Sequence, residues 1–237
     1  MSKRNAPKGV NTPHWRDRIG YELDTRPSRQ VVTRSPKWSV GYFDSQKMGA
    51  KLAHESSLEL DKLRLLESTN AVALFSVQPK PVRFSFLGKM RRYTPDGVVY
   101  YRDGTVEIYE VKYLSDYLQP LTKAFYDQAK IAVNEFGMEF KVYTEVEIRQ
   151  PIHLANANEL LWYNTHEPSQ ELRFRILEAI EVGGVSTLGE LEQALGMTSR
   201  EQRGQLYGAA LRNCFTFTDL ATVRLSSDSR ISGPTLA

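Results

Sequence analysis

At 237 residues, with 41% hydrophobic and 25% charged side chains, the chain has the makeup of one large or two smaller globular domains, which excludes wholesale disorder. Its formal charge of +3 permits a nucleic-acid partner without requiring one. The single cysteine, Cys214, excludes a disulfide framework and a Cys-based zinc module and fits a reducing, cytoplasmic compartment. Neither a long apolar run nor an apolar segment after Met1 is present, so neither a membrane span nor a signal peptide is expected.

In chain order, residues 1–37 come first, with nine Lys/Arg against three acids, a local charge of +6, so the other 200 residues sum to −3. Five prolines and glycines within residues 7–27 exclude a long helix. The segment reads as a basic arm. Lys3, Arg4, Lys8, Arg16 and Arg18 are candidates for phosphate contact, where each pairing releases counterions, against the alternative of a solvated terminus.

His54–Glu67 has serines near its start and leucines at helical spacing, which predicts a helix. Short runs rich in Val, Ile, Tyr and Phe predict strands at Pro81–Leu87, Asp96–Tyr101, Val106–Tyr113 and Glu139–Thr144. Between the last two, Leu121–Phe136 reads as a helix closed by Gly137. The order strand, helix, strand implies a parallel crossover beside an antiparallel meander, hence an α/β fold with a mixed sheet flanked by helices.

Asn164–Ser169 reads as a linker, followed by helical patterns near 170–181, 187–195 and 200–212. Strand-like pieces at Phe215–Thr218 and Thr222–Leu225 complete the plan of a winged helix, and 226–237 reads as a disordered tail. The expected division is a basic arm (1–37), a catalytic domain (38–165), a winged-helix-like domain (166–225) and the tail. The first 165 residues should cut and the last domain dock.

The chemistry concentrates in Pro95-Asp96, thirteen intervening residues, and Glu110-Val111-Lys112. Residues two apart on a strand share a face, so Glu110 and Lys112 project together, after Val106 and Ile108. The turn at Arg102-Asp103-Gly104 decides where Asp96 stands. A two-residue loop places it opposite Val111; a three-residue loop with Gly104 left-handed places it opposite Glu110. The second is expected, because it alone gathers both carboxylates and the amine.

Two carboxylates one strand apart repel, and a divalent cation relieves the repulsion. The plain alternative is a surface Glu–Lys pair beside a turn aspartate. A third acid, Glu59, falls within the arc of Leu58, Leu63 and Leu66 on the predicted helix, where it is costly unless paired or bound to a cation. Glu55 is its rival, better suited to the helix start.

These residues, together with Gly41-Tyr42-Phe43-Asp44-Ser45-Gln46-Lys47, Glu55-Ser56-Ser57-Leu58-Glu59, Gln78-Pro79 and Tyr93-Thr94-Pro95-Asp96, resemble the TnsA family over about residues 25–150. The family comprises the endonuclease subunits of heteromeric transposases, built on the restriction-endonuclease-like PD-(D/E)xK fold. The resemblance implies Glu59, Asp96 and Lys112 as catalytic residues, with Asp96 holding Mg²⁺. Glu110 stands where some members carry Gln, and with it Asp96, Glu110 and Glu59 form the candidate metal set. One or two Mg²⁺ ions are expected, with Mn²⁺ as a substitute.

The implied activity is cleavage of the 5′ strands at transposon ends in double-stranded DNA, beside a DDE transposase (TnsB) and an AAA+ ATPase regulator (TnsC) in a prokaryotic cytoplasm. Two competitors stand beside it: a stand-alone restriction or repair nuclease of the same fold, and an inert DNA- or protein-binding adaptor. Weaker candidates are Tyr126, Gln128 and Lys130, which lie on the helix after the ExK strand where nucleases of this class often place DNA contacts, against the alternative of a solvated helix face, and Gln78, which either orients water or phosphate or closes a turn. His14, His54, His153 and His166 lack metal-ligand spacing.

Overall fold

The computed structural model describes residues 40–235; the expected basic arm, with Lys3, Arg4, Lys8, Arg16 and Arg18, lies outside the described residues. A hairpin of β1 (Gly41–Ser45) and β2 (Ala50–His54) leads into helix α1 (Ser57–Ser68). Then follow β3 (Val72–Val77), the hairpin β4 (Val82–Phe86) and β5 (Lys89–Tyr93), β6 (Gly97–Tyr101) and β7 (Val106–Val111). Short helix α2 (Leu114–Tyr117), helix α3 (Pro120–Asn134), strand β8 (Glu139–Tyr143), short helix α4 (Glu145–Ile148) and helix α5 (Pro151–Trp162) complete the first half. The second half contains α6 (Gln170–Glu181), α7 (Leu188–Leu195), α8 (Arg200–Leu211), β9 (Thr216–Phe217) and β10 (Ile231–Ser232). No described helix is long and apolar enough to cross a membrane.

The main sheet has the order β3-β6-β7-β8, antiparallel except for the parallel pair β7–β8, so the expected mixed sheet is present. Side chains alternate across β7. Val106 and Ile108 face α3, packing with Tyr126, Ala129 and Val133, whereas Tyr109 and Val111 face α1, packing with Leu58, Leu63 and Leu66. The strand expected at Pro81–Leu87 forms, but it pairs with β5 in a separate hairpin outside the main sheet. Strands β1, β2, β3 and β5 and helix α5 were not expected from the sequence. The last had visible signals, with Pro151 at the first turn and Leu154, Ala157 and Leu160 at helical spacing.

The β1–β2 turn clamps the end of α1. Buried Glu67 accepts hydrogen bonds from the Ser45 hydroxyl (2.6 Å) and from the amides of Gln46 and Lys47 (both 3.0 Å). The Lys47 ammonium donates to the carbonyls of Leu66 and Thr69, which the helix end would otherwise leave open. The Ser45-Gln46-Lys47 part of the family-like motif is therefore a brace that sets the position of α1.

Two expectations for the C-terminal half are corrected. Thr222–Leu225 is not a strand, and β9 pairs instead with β10, inside the segment expected to be a disordered tail. The cause is Asn156 of α5, fully buried, whose amide donates to the carbonyls of Leu220 (2.8 Å) and Val223 (2.7 Å) and accepts from the Leu225 amide and the Arg224 guanidinium. Those backbone groups are spent on one side chain and cannot join a ladder. The tail is ordered because Ser227 and Ser229 accept from the Gly189 and Leu188 amides, and Ile231 is buried in the core. Helix α5 serves both halves, with Ala157 in the first core and Leu160 in the second.

Candidate active site

The loop between β6 and β7 contains three residues. The Tyr101 amide donates to the Thr105 carbonyl at 2.9 Å, leaving Arg102, Asp103 and Gly104 as the loop, and Gly104 takes φ +89°, where a side chain would be strained. The resulting register, Gly97 opposite Tyr109, sets Asp96 opposite Glu110, as the carboxylate argument required. Gly97 is needed for this approach, since a Cβ there would lie 2.3 Å from the Tyr109 ring.

At these strand ends Asp96 Oδ2 accepts from the Val111 amide at 2.8 Å. Glu110 is buried and held by three donors. Tyr93 donates to Oε2 at 2.5 Å, Tyr126 donates to Oε1 at 2.7 Å, and the Lys112 ammonium lies 3.2 Å from Oε1. Tyr126, weighed as a DNA contact, is thus a buried partner of Glu110, while Gln128 and Lys130 are exposed on α3. Tyr93 was missed. Its strand reads in sequence as a basic run, and its role follows only from where β5 ends.

Glu59 stands in the first turn of α1, near enough for its charge to act on Asp96, but its carboxylate makes its hydrogen bonds at the helix start. It is also the acid that closes the helix start: Ser56 caps α1 through the Glu59 amide, and the Glu59 carboxylate accepts from the Ser56 hydroxyl (3.0 Å) and the Glu55 amide (2.8 Å). The helix-start role expected for Glu55 therefore belongs to Glu59.

The electrostatics are those of crowded acids. Burial, then the Glu110 and Glu59 charges, push the Asp96 carboxyl well above the usual aspartate range, against the pull of the Val111 amide and Lys112. Burial raises Glu59 as well, opposed by its hydrogen bonds and reinforced by Glu55 and Glu110. Burial disfavours the Lys112 charge, but Glu110, Asp96 and Glu59 outweigh it and hold that lysine above its ordinary value.

Gln78 follows β3, and its amide donates to the Asp96 carbonyl at 2.9 Å. Its backbone takes φ +49°, uncommon for a residue other than glycine, and its buried Oε1 has no hydrogen-bond partner among the described residues. The positive φ and the orphaned acceptor are more than a simple turn closure requires.

Among the described residues no three His, Cys, Asp or Glu side chains form a ready metal cage. The donors present are hard carboxylate oxygens under mutual repulsion, which fit a divalent cation held by Asp96 with fewer than three full carboxylate ligands. A cleft of about 860 Å³ lies elsewhere, lined by Trp162, Tyr163, Glu192, Arg203 and Tyr207 among others, and shares no residue with the acid cluster.

Residues 69–145 match the family described as TnsA-like endonuclease N terminal. No curated protein matches the chain. The matched span contains Gln78, Tyr93, Asp96, Glu110, Lys112 and Tyr126 and excludes Glu59. Over these residues the chain is similar to TnsA-like endonucleases, and the span holds the opposed acids at the ends of β6 and β7.

Proposed function

We propose that this TnsA-like chain is a metal-dependent DNA endonuclease that cuts the 5′ strands at transposon ends, acting with a DDE transposase and an AAA+ regulator. The observation that carries the chemistry is the register placing Asp96 opposite Glu110, with Lys112 ion-paired beside them and Glu59 close enough to raise the Asp96 carboxyl. Asp96 and Glu59 would hold Mg²⁺, with Glu110 contributing through the capacity its three donors leave free. Bound there, Mg²⁺ supplies Lewis-acid polarisation of the phosphodiester and activation of water.

The chain's own groups do the rest. Tyr93 and Tyr126 fix the Glu110 carboxylate, which in turn positions the Lys112 ammonium. Lys112, kept charged by its acidic neighbours, neutralises charge developing on the phosphate. Gln78 Oε1, without a partner among the described residues, would accept from the attacking water.

The C-terminal half supports docking rather than cutting. Three helices, a bridge from Thr187 to Arg230 and the β9–β10 pair follow the strand order of a winged helix, although each strand is short. Trp162 stands 83% exposed at the 860 Å³ cleft, a natural seat for a protein segment from the regulator.

The test is cleavage of a duplex carrying the transposon ends, with partner proteins and Mg²⁺. Asp96→Ala should abolish cutting, and Lys112→Ala should slow it on the order of 10²-fold or more. Glu110→Gln, which still accepts from Tyr126 and Lys112, should retain cutting within about tenfold, whereas Glu110→Ala should not. Undiminished cutting by the Asp96 variant overturns the assignment.

A further inference from the structure

Residues 80–93 carry five basic side chains and no acid, within a stretch (38–237) whose net charge is −3. They form the β4–β5 hairpin. Its inner face packs on α3 through Phe84 and Phe86, which meet the Phe125 ring at 5.0 and 5.3 Å between centroids. Arg83, Lys89, Arg91 and Arg92 are exposed and make no ion pair among the described residues. Arg83 stands directly opposite Arg92, a like-charge cross-strand pair that costs stability. An edge strand needs a charge to prevent strand addition, but it does not need four of one sign with two facing each other.

The tip is equally unsuited to a purely structural role. Phe86 pairs with Lys89, so Leu87-Gly88 is a two-residue loop, and both residues have positive φ, +52° and +70°. That turn favours asparagine at its first position, whereas a bulky side chain there is strained. Leu87 gains nothing by burial, being 70% exposed, and its neighbour Met90 is 72% exposed. At its base the hairpin ends on Tyr93, the donor to Glu110, three residues before Asp96.

From this placement we infer that the β4–β5 hairpin is a DNA-reading ribbon, inserted into a groove of the duplex beside the scissile phosphate. This rests on the nuclease reading of the Asp96 cluster and adds to it the element that seats the substrate. A two-stranded ribbon fits a major groove about 12 Å wide. The arginines and the lysine pair with phosphates along both groove walls, and Leu87 and Met90 meet base edges or thymine methyl groups. Lys89 lies four residues from Tyr93, about 14 Å along an extended strand. At about 3.4 Å per base pair, the tip therefore engages DNA within roughly four base pairs of the cut.

The full-length chain should be titrated with a mixed-sequence duplex in chelator across a range of salt, and Mg²⁺-dependent cleavage scored separately. Replacing Arg83, Lys89, Arg91 and Arg92 together by Gln should lower the slope of log affinity against log salt by about 3 to 4, near 0.9 per lost phosphate contact. The Arg83→Gln/Arg92→Gln pair relieves repulsion, so it tests the same loss in a variant expected to fold at least as well. Leu87→Asn should raise the melting temperature and weaken duplex binding together. An unchanged salt slope in both Gln variants overturns the inference, as does a Leu87→Asn chain that gains stability with full affinity. A wild-type chain lacking salt-dependent duplex affinity also overturns it, whereas one that binds but never cuts with its partners and Mg²⁺ overturns the nuclease reading alone.

Discussion

Asp96 and Glu59 carry the clearest electrostatic consequence of the fold. Both carboxyls are raised, first by burial and then by neighbouring acids, so the folded state holds their protons more tightly than the unfolded chain does. The stability this contributes is fully present below the ordinary carboxylate pKa of about 4 and is lost as pH rises through the raised values. At neutral pH without metal the site therefore destabilises the fold. Asp96→Asn should melt above the wild type at pH 7 in chelator, with the gap closing toward pH 4. Adding Mg²⁺ should raise the wild-type melting temperature and leave the variant unmoved. Thermal melts followed by circular dichroism test this, and a gap that does not change with pH contradicts it.

Helix α1 illustrates how contacts at one end of an element set the position of the other. One end bears the capping acid Glu59, and the other end is held by Glu67 against the β1–β2 turn. Burial lowers the Lys47 ammonium to about 7, with the Glu67 charge opposing that shift. Glu67→Ala leaves the Ser45 hydroxyl and two backbone amides without their acceptor. It should cost about 3 kcal/mol or more in urea denaturation, because hydrogen bonds to a charged acceptor exceed neutral ones. Metal affinity should fall with it, since α1 positions Glu59. A loss below about 1 kcal/mol would mean that water replaces the clamp.

The two halves are joined by more than a linker. Asn156 makes four hydrogen bonds to residues 220–225, Leu160 packs in the C-terminal core, and Asn70 donates to the Phe215 carbonyl at 2.9 Å. A chain cut after about residue 168 would expose Leu160 and leave the Asn156 and Asn70 amides without these partners. Asn156→Ala should destabilise the whole chain by about 3 kcal/mol or more, having orphaned several buried groups at once. Calorimetry on the wild type should show one transition; two resolved transitions would restore the picture of separable halves.

The opposition of Asp96 and Glu110 was legible only through chemistry, since two- and three-residue loops both fit Arg102-Asp103-Gly104 and the longer one was expected because it gathers the acids and the amine. The mixed sheet, the crossover helix and the shared face of Glu110 and Lys112 were legible in residue order, because periodicity is a local rule. The three C-terminal helices were legible for the same reason, in leucine spacing and capping residues. What escaped depends on contacts between residues far apart in the chain. Tyr93 and Tyr126 meet Glu110 only once β5 and α3 are packed, and Asn156 takes the backbone of 220–225 away from a ladder some 64 to 69 residues distant. The tail orders because Ile231 finds a core built by α6, α7 and α8. Periodicity and turn chemistry act within a few residues, whereas burial and hydrogen-bond satisfaction are settled across the whole molecule.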